Sequence, residues 1–334
     1  MPDPTQHDDA RDSAEAVGAE QRNLISRRQA LAGGAAAAAG AALAAAPGAR
    51  AVSPARAADG RSFAGQVALI TGAARGIGRA TAVALADAGA DIVALDIARP
   101  RGVDVPYDLA SREDLDRTAE LVRDRGRRVL AIQADIRRFD QVRDATARAI
   151  RELGGVDILV ANAGVVSYNS LVDMTPQQWQ DVIDVDLTGQ FNSFKAVAGH
   201  MSDRQRGAII AVVSTEGRHG APQLCHYHAA KWGLIGLVKG AATELGPRNV
   251  RVLGVAPTGV RTPFVLNEAT YRWAGGDGPE DLEAALRSYN TQPVGLIEPE
   301  DVADSIAFLA SGDARVISGT VLDVSAGAST RWTA

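Results

Sequence analysis

Residues 71–78 read Thr71-Gly72-Ala73-Ala74-Arg75-Gly76-Ile77-Gly78, and they connect a short apolar run, Val67–Ile70, to a segment with helical spacing, Ile77–Ala88. Three glycines in this stretch permit a tight turn and let backbone N–H groups approach a pyrophosphate at the start of the helix. Glycine is common in this chain, with 34 residues, so the loop alone is weak evidence. Its position between a strand and a helix predicts a dinucleotide-binding unit.

The same alternation of apolar runs and helical segments continues along the chain. The runs are continuous and rich in β-branched residues, as expected for strands that are buried on both faces of a parallel sheet. We predict strands at Val67–Ile70, Ile92–Leu95, Val129–Ile132, Ile158–Val160, Ile209–Val213, Val250–Val255 and Val321–Val324. We predict helices at Ile77–Ala88, Arg112–Arg125, Asp140–Leu153, Pro176–Met201, Tyr227–Leu245 and Pro299–Leu309. Residues 59–334 therefore form one α/β domain, with a doubly wound, seven-stranded parallel sheet and helices on both faces.

Composition excludes several classes of protein. Of 334 residues, 46% are hydrophobic and 22% are charged, which is typical of a globular protein and not of a disordered one. A net charge of −5 argues against a nucleic-acid binder. The single cysteine, Cys225, excludes an internal disulfide framework and a cysteine-based zinc site.

The first 58 residues differ in composition from the rest of the chain. Arg27 and Arg28 precede an uncharged run of Ala, Gly and Leu, Ala30–Ala46, and two A-x-A sites follow at 49–51 and 55–57. This order predicts an export signal of the twin-arginine type. A permanent membrane span is disfavoured, because it needs about 20 strongly apolar residues. The alternative is an Ala-rich tail on an ordinary cytoplasmic protein.

The second predicted strand ends at Asp96, 18 residues after Gly78 (96 − 78 = 18). A carboxylate at this place can accept hydrogen bonds from the adenosine ribose hydroxyls, and it repels a 2′-phosphate. Arg75 is a counter-signal, because a basic side chain in the loop can bind that phosphate. The repulsion at Asp96 would act directly at the ribose, so we predict NAD rather than NADP.

Tyr227 and Lys231 open a helical segment and, being four residues apart, lie on one face of it. A nearby cation stabilises a phenolate and lowers a tyrosine pKa from its usual value of about 10. Such a pair is common by chance, but Ser214 ends a predicted strand 13 residues before Tyr227 (227 − 214 = 13). Its hydroxyl can donate to a carbonyl oxygen on which negative charge collects.

Together these motifs resemble the short-chain dehydrogenase/reductase family, including its T-G-x-x-x-G-x-G loop and its Ser-to-Tyr spacing. The resemblance covers residues 63–328 and implies a Rossmann domain that oxidises an alcohol or reduces a ketone (EC 1.1.1.-). It implies catalytic roles for Ser214, Tyr227 and Lys231. The implied contacts to NAD are Gly72, Arg75, Gly76, Ile77, Gly78, Asp96, Asp135, Ile136, Asn162, Ala163, Gly164, Tyr227, Lys231, Pro257, Val260 and Thr262.

One position departs from the family's pattern. The family has an asparagine in V-N-L-x-G, where it holds a water of the proton relay, whereas this chain has Asp186 in Val185–Gly189. An ionised carboxylate there stabilises the Lys231 cation and opposes the Tyr227 phenolate. It can still accept a hydrogen bond from the relay water. We therefore place Asp186 among the catalytic residues and expect a shifted pH optimum.

Three further motifs resemble the mycofactocin-associated, carveol-dehydrogenase-like branch of the family. They are Val105–Ala110 after an extended loop, the P-T-G-V-x-T-P pattern at Pro257–Pro263, and Glu298–Val302. That resemblance implies NAD held tightly and electrons passed to an external acceptor. Twin-arginine export carries folded proteins, so NAD loaded before export agrees with the predicted signal.

The segment 263–292 is predicted to be a substrate lid, with a packed surface segment as the alternative. Its apolar side chains favour an apolar secondary alcohol or ketone of terpenoid or sterol type; they are Phe264, Val265, Leu266, Tyr271, Trp273 and Tyr289. The resemblance also implies a homotetramer or homodimer.

No metal is expected, because the histidines around Tyr227 have no carboxylate at ligand spacing; they are His219, His226 and His228. The competing hypothesis for function is a non-catalytic nucleotide-binding or redox-sensing protein on the same fold. Asp186 favours that hypothesis, and the intact Ser214, Tyr227 and Lys231 disfavour it.

Overall fold

The computed structural model describes residues 61–99 and 102–332. Within them, seven parallel strands form one sheet in the order β3-β2-β1-β4-β5-β6-β7. The strands are β1 (Val67–Thr71), β2 (Asp91–Asp96), β3 (Val129–Gln133), β4 (Ile158–Ala161), β5 (Gly207–Val212), β6 (Val250–Pro257) and β7 (Val321–Val324). The predicted doubly wound α/β class is confirmed, and each predicted strand is present with its ends moved by at most two residues.

Helices connect the strands and cover both faces of the sheet. They are α1 (Gly76–Asp87), α2 (Arg112–Arg123), α3 (Phe139–Leu153), α4 (Pro176–Ile183), α5 (Gln190–Asp203), α6 (Cys225–Leu245), α7 (Glu268–Trp273), α8 (Pro279–Tyr289) and α9 (Pro299–Ala310). Short 3₁₀ turns lie at Thr215–Gly217, Gly246–Arg248, Gly312–Ala314 and Ala328–Arg331.

The helix predicted over Pro176–Met201 is not continuous. A π-helical turn, Asp184–Gly189, separates α4 from α5. Such a turn inserts one extra residue into the helix and often lies at a functional site. Here it contains Asp186, whose side chain is fully buried.

Each face of the sheet has its own apolar core. On one face, α1, α2 and α9 pack against the strands through Leu85, Leu115 and Ile306. On the other, α5 and α6 contribute Phe194 and Leu234. The central strands are buried on both sides, as their continuous apolar sequences predict, whereas the edge strands β3 and β7 are only partly buried.

The order of the strands reverses beside β1. The chain runs from β1 outward to β2 and β3, and then returns to place β4 on the other side of β1. In an open parallel sheet a ligand binds at such a reversal, in the crevice at the carboxyl ends of the strands. The fold therefore predicts a ligand site at the carboxyl-terminal end of the sheet, beside β1.

Among residues 61–99 and 102–332, no helix combines the length and apolar character needed to cross a membrane. The predicted export signal and linker, residues 1–58, lie outside the described residues, and so does the run Ala30–Ala46.

Candidate active site

A cavity of about 600 Å³ opens at the carboxyl ends of the strands. The loops after β1, β2, β4, β5 and β6 line it, together with one face of α6. All of the site residues predicted from sequence lie along this cavity except Gly78 and Asp186, which lie just behind its wall. The fold thus brings together residues that are up to 190 positions apart in the sequence (262 − 72 = 190).

The glycine loop is shaped to admit a bulky anion. Gly72 and Gly76 have φ values of +66° and +56°, which side chains rarely adopt. A Cβ at Gly78 would lie 2.1 Å from the Gly72 carbonyl oxygen, so only glycine fits there. Helix α1 begins at Gly76 with no side-chain cap, in contrast to α2, which Ser111 caps. The unpaired N–H groups and the space above the loop fit a pyrophosphate.

Asp96 fixes the end of β2 to the glycine loop. Its carboxylate accepts hydrogen bonds from the backbone N–H groups of Ala74, at 3.0 Å, and Ala98, at 2.9 Å. Burial raises the pKa of Asp96, and these two hydrogen bonds and the charge of Arg75 oppose that shift. The Arg75 guanidinium donates to the carbonyl oxygen of Asp108. Asp96 therefore stands where a ribose would lie, and Arg75 is engaged by the backbone of the next loop.

The remaining predicted cofactor residues line the same crevice from the other strands. Asn162 donates from its side chain to the carbonyl oxygens of Thr71 and Gly72, at 3.0 and 3.1 Å, so it holds the glycine loop against β4. Asp135 is paired with Arg137, with 2.6 Å between their charged atoms. The other members of the set lie along the cavity wall: Ile136, Ala163, Gly164, Pro257, Val260 and Thr262.

Ser214, Tyr227 and Lys231 meet in the middle of the cavity. Ser214 follows β5 and lines the cavity together with Tyr227 on α6, and its hydroxyl acts to lower the pKa of the phenol. Lys231 lies one turn further along α6, with Nζ 5.3 Å from the centre of the Tyr227 ring. Both α6 side chains are almost fully buried, with exposed fractions of 6% and 3%. This arrangement can transfer a proton to or from an oxygen placed beside Ser214.

The charge around Tyr227 differs from the expectation based on Lys231 alone. Burial raises the pKa of Tyr227 well above its usual value, the Asp186 carboxylate raises it further, and the Ser214 hydroxyl lowers it. Lys231 donates to the Val212 carbonyl oxygen at 3.2 Å and pairs with Asp186 at 3.1 Å. The Asp186 carboxylate thus partly neutralises the Lys231 ammonium. For this reason the ammonium does not offset the upward shift of the Tyr227 pKa.

Asp186 is buried behind Lys231 on the π-helical turn. One carboxylate oxygen accepts a hydrogen bond from the Val165 N–H at 2.8 Å, and the other faces Lys231. Burial raises the pKa of Asp186, and the charge of Lys231 opposes that shift. An asparagine oxygen could accept the same bond from Val165. With its oxygen on Val165, an asparagine would turn its NH2 group toward the Lys231 ammonium, so the substitution removes a charge and a hydrogen-bond acceptor together.

Sequence reasoning missed two side chains of this cavity. Tyr107 is half-buried and accepts a hydrogen bond from the Val166 N–H at 3.0 Å, and its ring lies 6.0 Å from that of Phe264. Glu216 lines the cavity two residues after Ser214. Two features of the sequence pointed to these residues. Tyr107 belongs to the motif Val105–Ala110, and Glu216 is a charged residue that closely follows the apolar run of β5.

The segment 263–292 lies along the same cavity. It contains α7 and α8 and contributes apolar and aromatic side chains to the wall: Phe264, Val265, Trp273, Leu282, Leu286 and Tyr289. Leu266 and Tyr271 are not among the lining residues.

Comparisons with known proteins agree with this geometry. The model of the short chain dehydrogenase family matches residues 66–272. The (-)-trans-carveol dehydrogenase of Rhodococcus erythropolis is 41% identical over 269 residues, which are 79% of this chain and 97% of that protein.

Two solved structures share the fold. The crystal structure of carveol dehydrogenase from Mycobacterium avium in complex with NAD has a TM-score of 0.79 and 40% identity, covering 81% of this chain and 99% of that one. A short chain dehydrogenase from Mycobacterium paratuberculosis bound to NAD has a TM-score of 0.74 and 38% identity, covering 80% and 99%. With the glycine loop, the Ser214–Tyr227–Lys231 arrangement and these matches in agreement, the chain belongs to the short chain dehydrogenase family.

Proposed function

We propose that this protein is an NAD-dependent dehydrogenase that interconverts an apolar secondary alcohol and its ketone. The observation that carries the proposal is that Ser214, Tyr227 and Lys231 share one cavity with a glycine loop that fits a pyrophosphate. The relatives that bind NAD or act on carveol support it. Asp96 at the end of β2 supports NAD over NADP, since its carboxylate repels a 2′-phosphate.

In this mechanism the residues of the chain handle the proton and the oxygen. The glycine loop and Asp96 hold the adenosine half of the dinucleotide, and the bound nicotinamide supplies the hydride acceptor or donor. Ser214 donates a hydrogen bond to the substrate oxygen, and Tyr227 takes the hydroxyl proton during oxidation or returns it during reduction. Lys231 keeps positive charge beneath Tyr227, and the apolar wall excludes water.

The apolar side chains of 263–292 support a hydrophobic substrate of terpenoid or sterol type, with this segment acting as its lid. These side chains form an apolar wall opposite Tyr227, which suits a ring-containing alcohol better than a small polar one. Trp179, Phe191 and Trp232, which are 40%, 46% and 54% exposed, support self-association into a dimer or tetramer.

Tight retention of NAD is the second part of the proposal. The loop after β2 is pinned at several points above the cavity: Asp104 N–H donates to Asp181 at 2.8 Å, Asp108 accepts from Arg75, and Tyr107 accepts from Val166. A loop with this many contacts opens rarely, which slows exchange of a nucleotide beneath it. Electrons would then leave through an external acceptor of the mycofactocin type.

The test of retention is the nucleotide content of the purified full-length protein. We expect about one NAD per chain by mass spectrometry after extensive dialysis without added nucleotide. Protein that emerges free of nucleotide and turns over only with added NAD would contradict tight retention while leaving the dehydrogenase activity in place.

The test of the activity is Tyr227→Phe. Removing the phenol should reduce alcohol oxidation by about 10²- to 10⁴-fold, because general acid–base catalysis contributes about that factor. Tyr271→Phe is the matched control, since Tyr271 does not line the cavity and should keep full turnover. Circular dichroism should be unchanged in both variants. Substantial activity in Tyr227→Phe would refute the mechanism.

The alternative is a non-catalytic NAD-binding or redox-sensing protein. The Asp186 carboxylate favours it, because it raises the pKa of Tyr227 and so weakens the base. Absence of turnover with a panel of apolar alcohols and an artificial electron acceptor, in protein that retains NAD, would favour this alternative.

A further inference from the structure

Glu216 is a carboxyl group within the substrate half of the cavity that the mechanism above does not use. It lies on the short turn Thr215–Gly217 directly after β5, and its backbone N–H donates to Ser214 Oγ at 3.1 Å. Strand β5 is three strands away from β2 in the sheet, so it lies about 14 Å from the ribose position at Asp96. The backbone of Glu216 is thus fixed beside Ser214 and far from Asp96, where the adenosine half of the cofactor is proposed to bind.

The neighbouring histidine His228 lowers the pKa of this carboxyl but gives it no hydrogen bond. Its Nδ1 lies 2.7 Å from the Glu216 carbonyl oxygen, which can only accept, so Nδ1 carries the proton. Its Nε2 accepts a hydrogen bond from the Ala221 N–H at 2.8 Å. Nε2 therefore has no proton to offer to Glu216 Oε2, 3.4 Å away. The backbone thus occupies both ring nitrogens of His228.

His219 also leaves the carboxyl unsatisfied. Its Nε2 lies 3.5 Å from Glu216 Oε1, beyond good hydrogen-bonding distance. Both Glu216 Oε2 and His219 Nε2 are buried and have no hydrogen-bond partner among the described residues. Burial raises the pKa of Glu216 to about 7, as expected for a carboxyl that lacks donors.

The surroundings of this pair are aromatic. The His219 ring lies 4.7 Å from that of Trp332 and 6.3 Å from that of Tyr289 on α8. The charge of Glu216 acts on the phenols of Tyr227, Tyr168 and Tyr289. Oε2 is enclosed, so the oxygen of Glu216 that a ligand in the cavity can reach is Oε1, and a ligand with no donor group there leaves that acceptor unpaired at a cost in binding free energy.

We propose that Glu216 is a specificity-determining residue that accepts a hydrogen bond from a second donor group of the substrate. This inference rests on the proposed function and narrows its substrate class. The substrate is an apolar alcohol or ketone that also carries a hydroxyl or amino group away from the reacting carbon. A substrate with a carboxylate at that position is disfavoured by charge repulsion once Glu216 is ionised, which the raised pKa of Glu216 moves to about pH 7 and above.

The experiment compares four ring alcohols in the full-length, NAD-saturated protein: cyclohexanol, cyclohexanediol, aminocyclohexanol and hydroxycyclohexanecarboxylate, the last three as 1,3 and 1,4 isomers. The kcat/KM with an artificial electron acceptor and the Kd by calorimetry are measured for each compound. In the parent protein we expect the diol or the amino alcohol to exceed cyclohexanol by at least about 10-fold in at least one isomer, and the carboxylate to bind worst.

Two substitutions separate hydrogen bonding from charge. Glu216→Ala should remove the preference for a donor group, so that the ratio of kcat/KM for the diol or the amino alcohol to kcat/KM for cyclohexanol falls to about 1. Glu216→Gln keeps an acceptor oxygen but removes the charge. If the preference for the diol survives in this variant, the donor group of the substrate is a hydroxyl. If instead a preference for the amino alcohol is lost, the donor group is an ammonium. Glu152→Gln, the same change on the exposed face of α3, should keep the parent ratios.

The inference is overturned if Glu216→Ala lowers kcat/KM by the same factor for all four compounds, which indicates a purely structural role. It is also overturned if the parent protein binds cyclohexanol and the donor-bearing compounds equally, or binds none of them. Failure of the proposed function looks different. In that case no variant oxidises any compound, while the Kd ratios still report whether Glu216 accepts the donor group.

Discussion

At the scale of single residues, the site combines the proposed base, Tyr227, with a carboxylate, Asp186, whose charge opposes ionisation of the phenol. Tyr227 has to release its proton to act in alcohol oxidation, yet burial and Asp186 both raise its pKa. Lys231 opposes this only in part, because its ammonium also pairs with Asp186 at 3.1 Å. The cost of ionising Tyr227 is therefore set by three buried groups acting together.

Asp186→Asn tests this balance. Removing the carboxylate charge lowers the pKa of Tyr227, so the rising limb of the pH–rate profile for alcohol oxidation, which needs the phenolate, should move to lower pH. A shift of about one pH unit corresponds to about 1.4 kcal/mol of altered interaction. The asparagine oxygen can still accept from Val165 N–H, so the fold should persist.

The matched control for that experiment is Asp157→Asn, which removes a buried carboxylate just before β4, outside the cavity lining. Its profile should overlay that of the parent protein. Superimposable profiles for Asp186→Asn and the parent would show that the Asp186 charge does not act on the base.

At the scale of elements, the end of β2 and the start of α1 act as one unit. The Asp96 carboxylate bridges the N–H groups of Ala74 in the glycine loop and Ala98 after β2. The same side chain thus shapes the glycine loop and, in the proposed binding mode, would also contact the ribose. Cofactor choice and loop geometry are coupled through this one carboxylate.

Replacing Asp96 should reverse or erase the preference for NAD. In Asp96→Ala the repulsion of a 2′-phosphate is gone and Arg75 remains, so the ratio of NADP to NAD affinity should rise by at least about 10-fold. Asp96→Asn keeps an acceptor oxygen for one of the two backbone N–H groups, and it separates loss of charge from loss of loop geometry. Dissociation constants for both nucleotides check this, and an unchanged ratio in Asp96→Ala would disprove the assignment.

At the scale of the whole molecule, the chain is longer than its family domain. The match to the family covers residues 66–272, and the described sheet ends with β7 at Val324. Residues 1–58 precede that domain, and they carry the paired arginines and the Ala-rich run. An exported dehydrogenase cannot exchange NAD with a cytoplasmic pool, so export and tight retention support each other.

Export through a twin-arginine route depends on the paired arginines. Arg27→Lys combined with Arg28→Lys should retain the protein in the cytoplasmic fraction, with its activity unchanged, because the folded domain is untouched. Arg11→Lys combined with Arg22→Lys is the control and should leave export intact. Cell fractionation with activity assays checks both. Parent protein found only in the cytoplasm would favour the Ala-rich tail instead.

Local signals determined much of this protein. Each buried strand is short, apolar and bounded by turn residues, so the sequence predicts the seven strands and their parallel sheet. The glycine loop, Asp96, Ser214 and the Tyr227–Lys231 pair were predictable, because each depends on residue type and short spacing along one element. The π-helical turn at Asp184–Gly189 was not, since one extra residue hardly changes a helical pattern.

Only the tertiary structure decided how the charges of the site interact. The Asp186–Lys231 pair, the Tyr107 contact with Val166 N–H and the unsatisfied Glu216 carboxyl join residues from different elements. Whether a carboxylate is paired, buried or left without a donor depends on the partners that other strands bring to it. Sequence spacing specifies which residues share an element, whereas packing specifies which charges share a cavity.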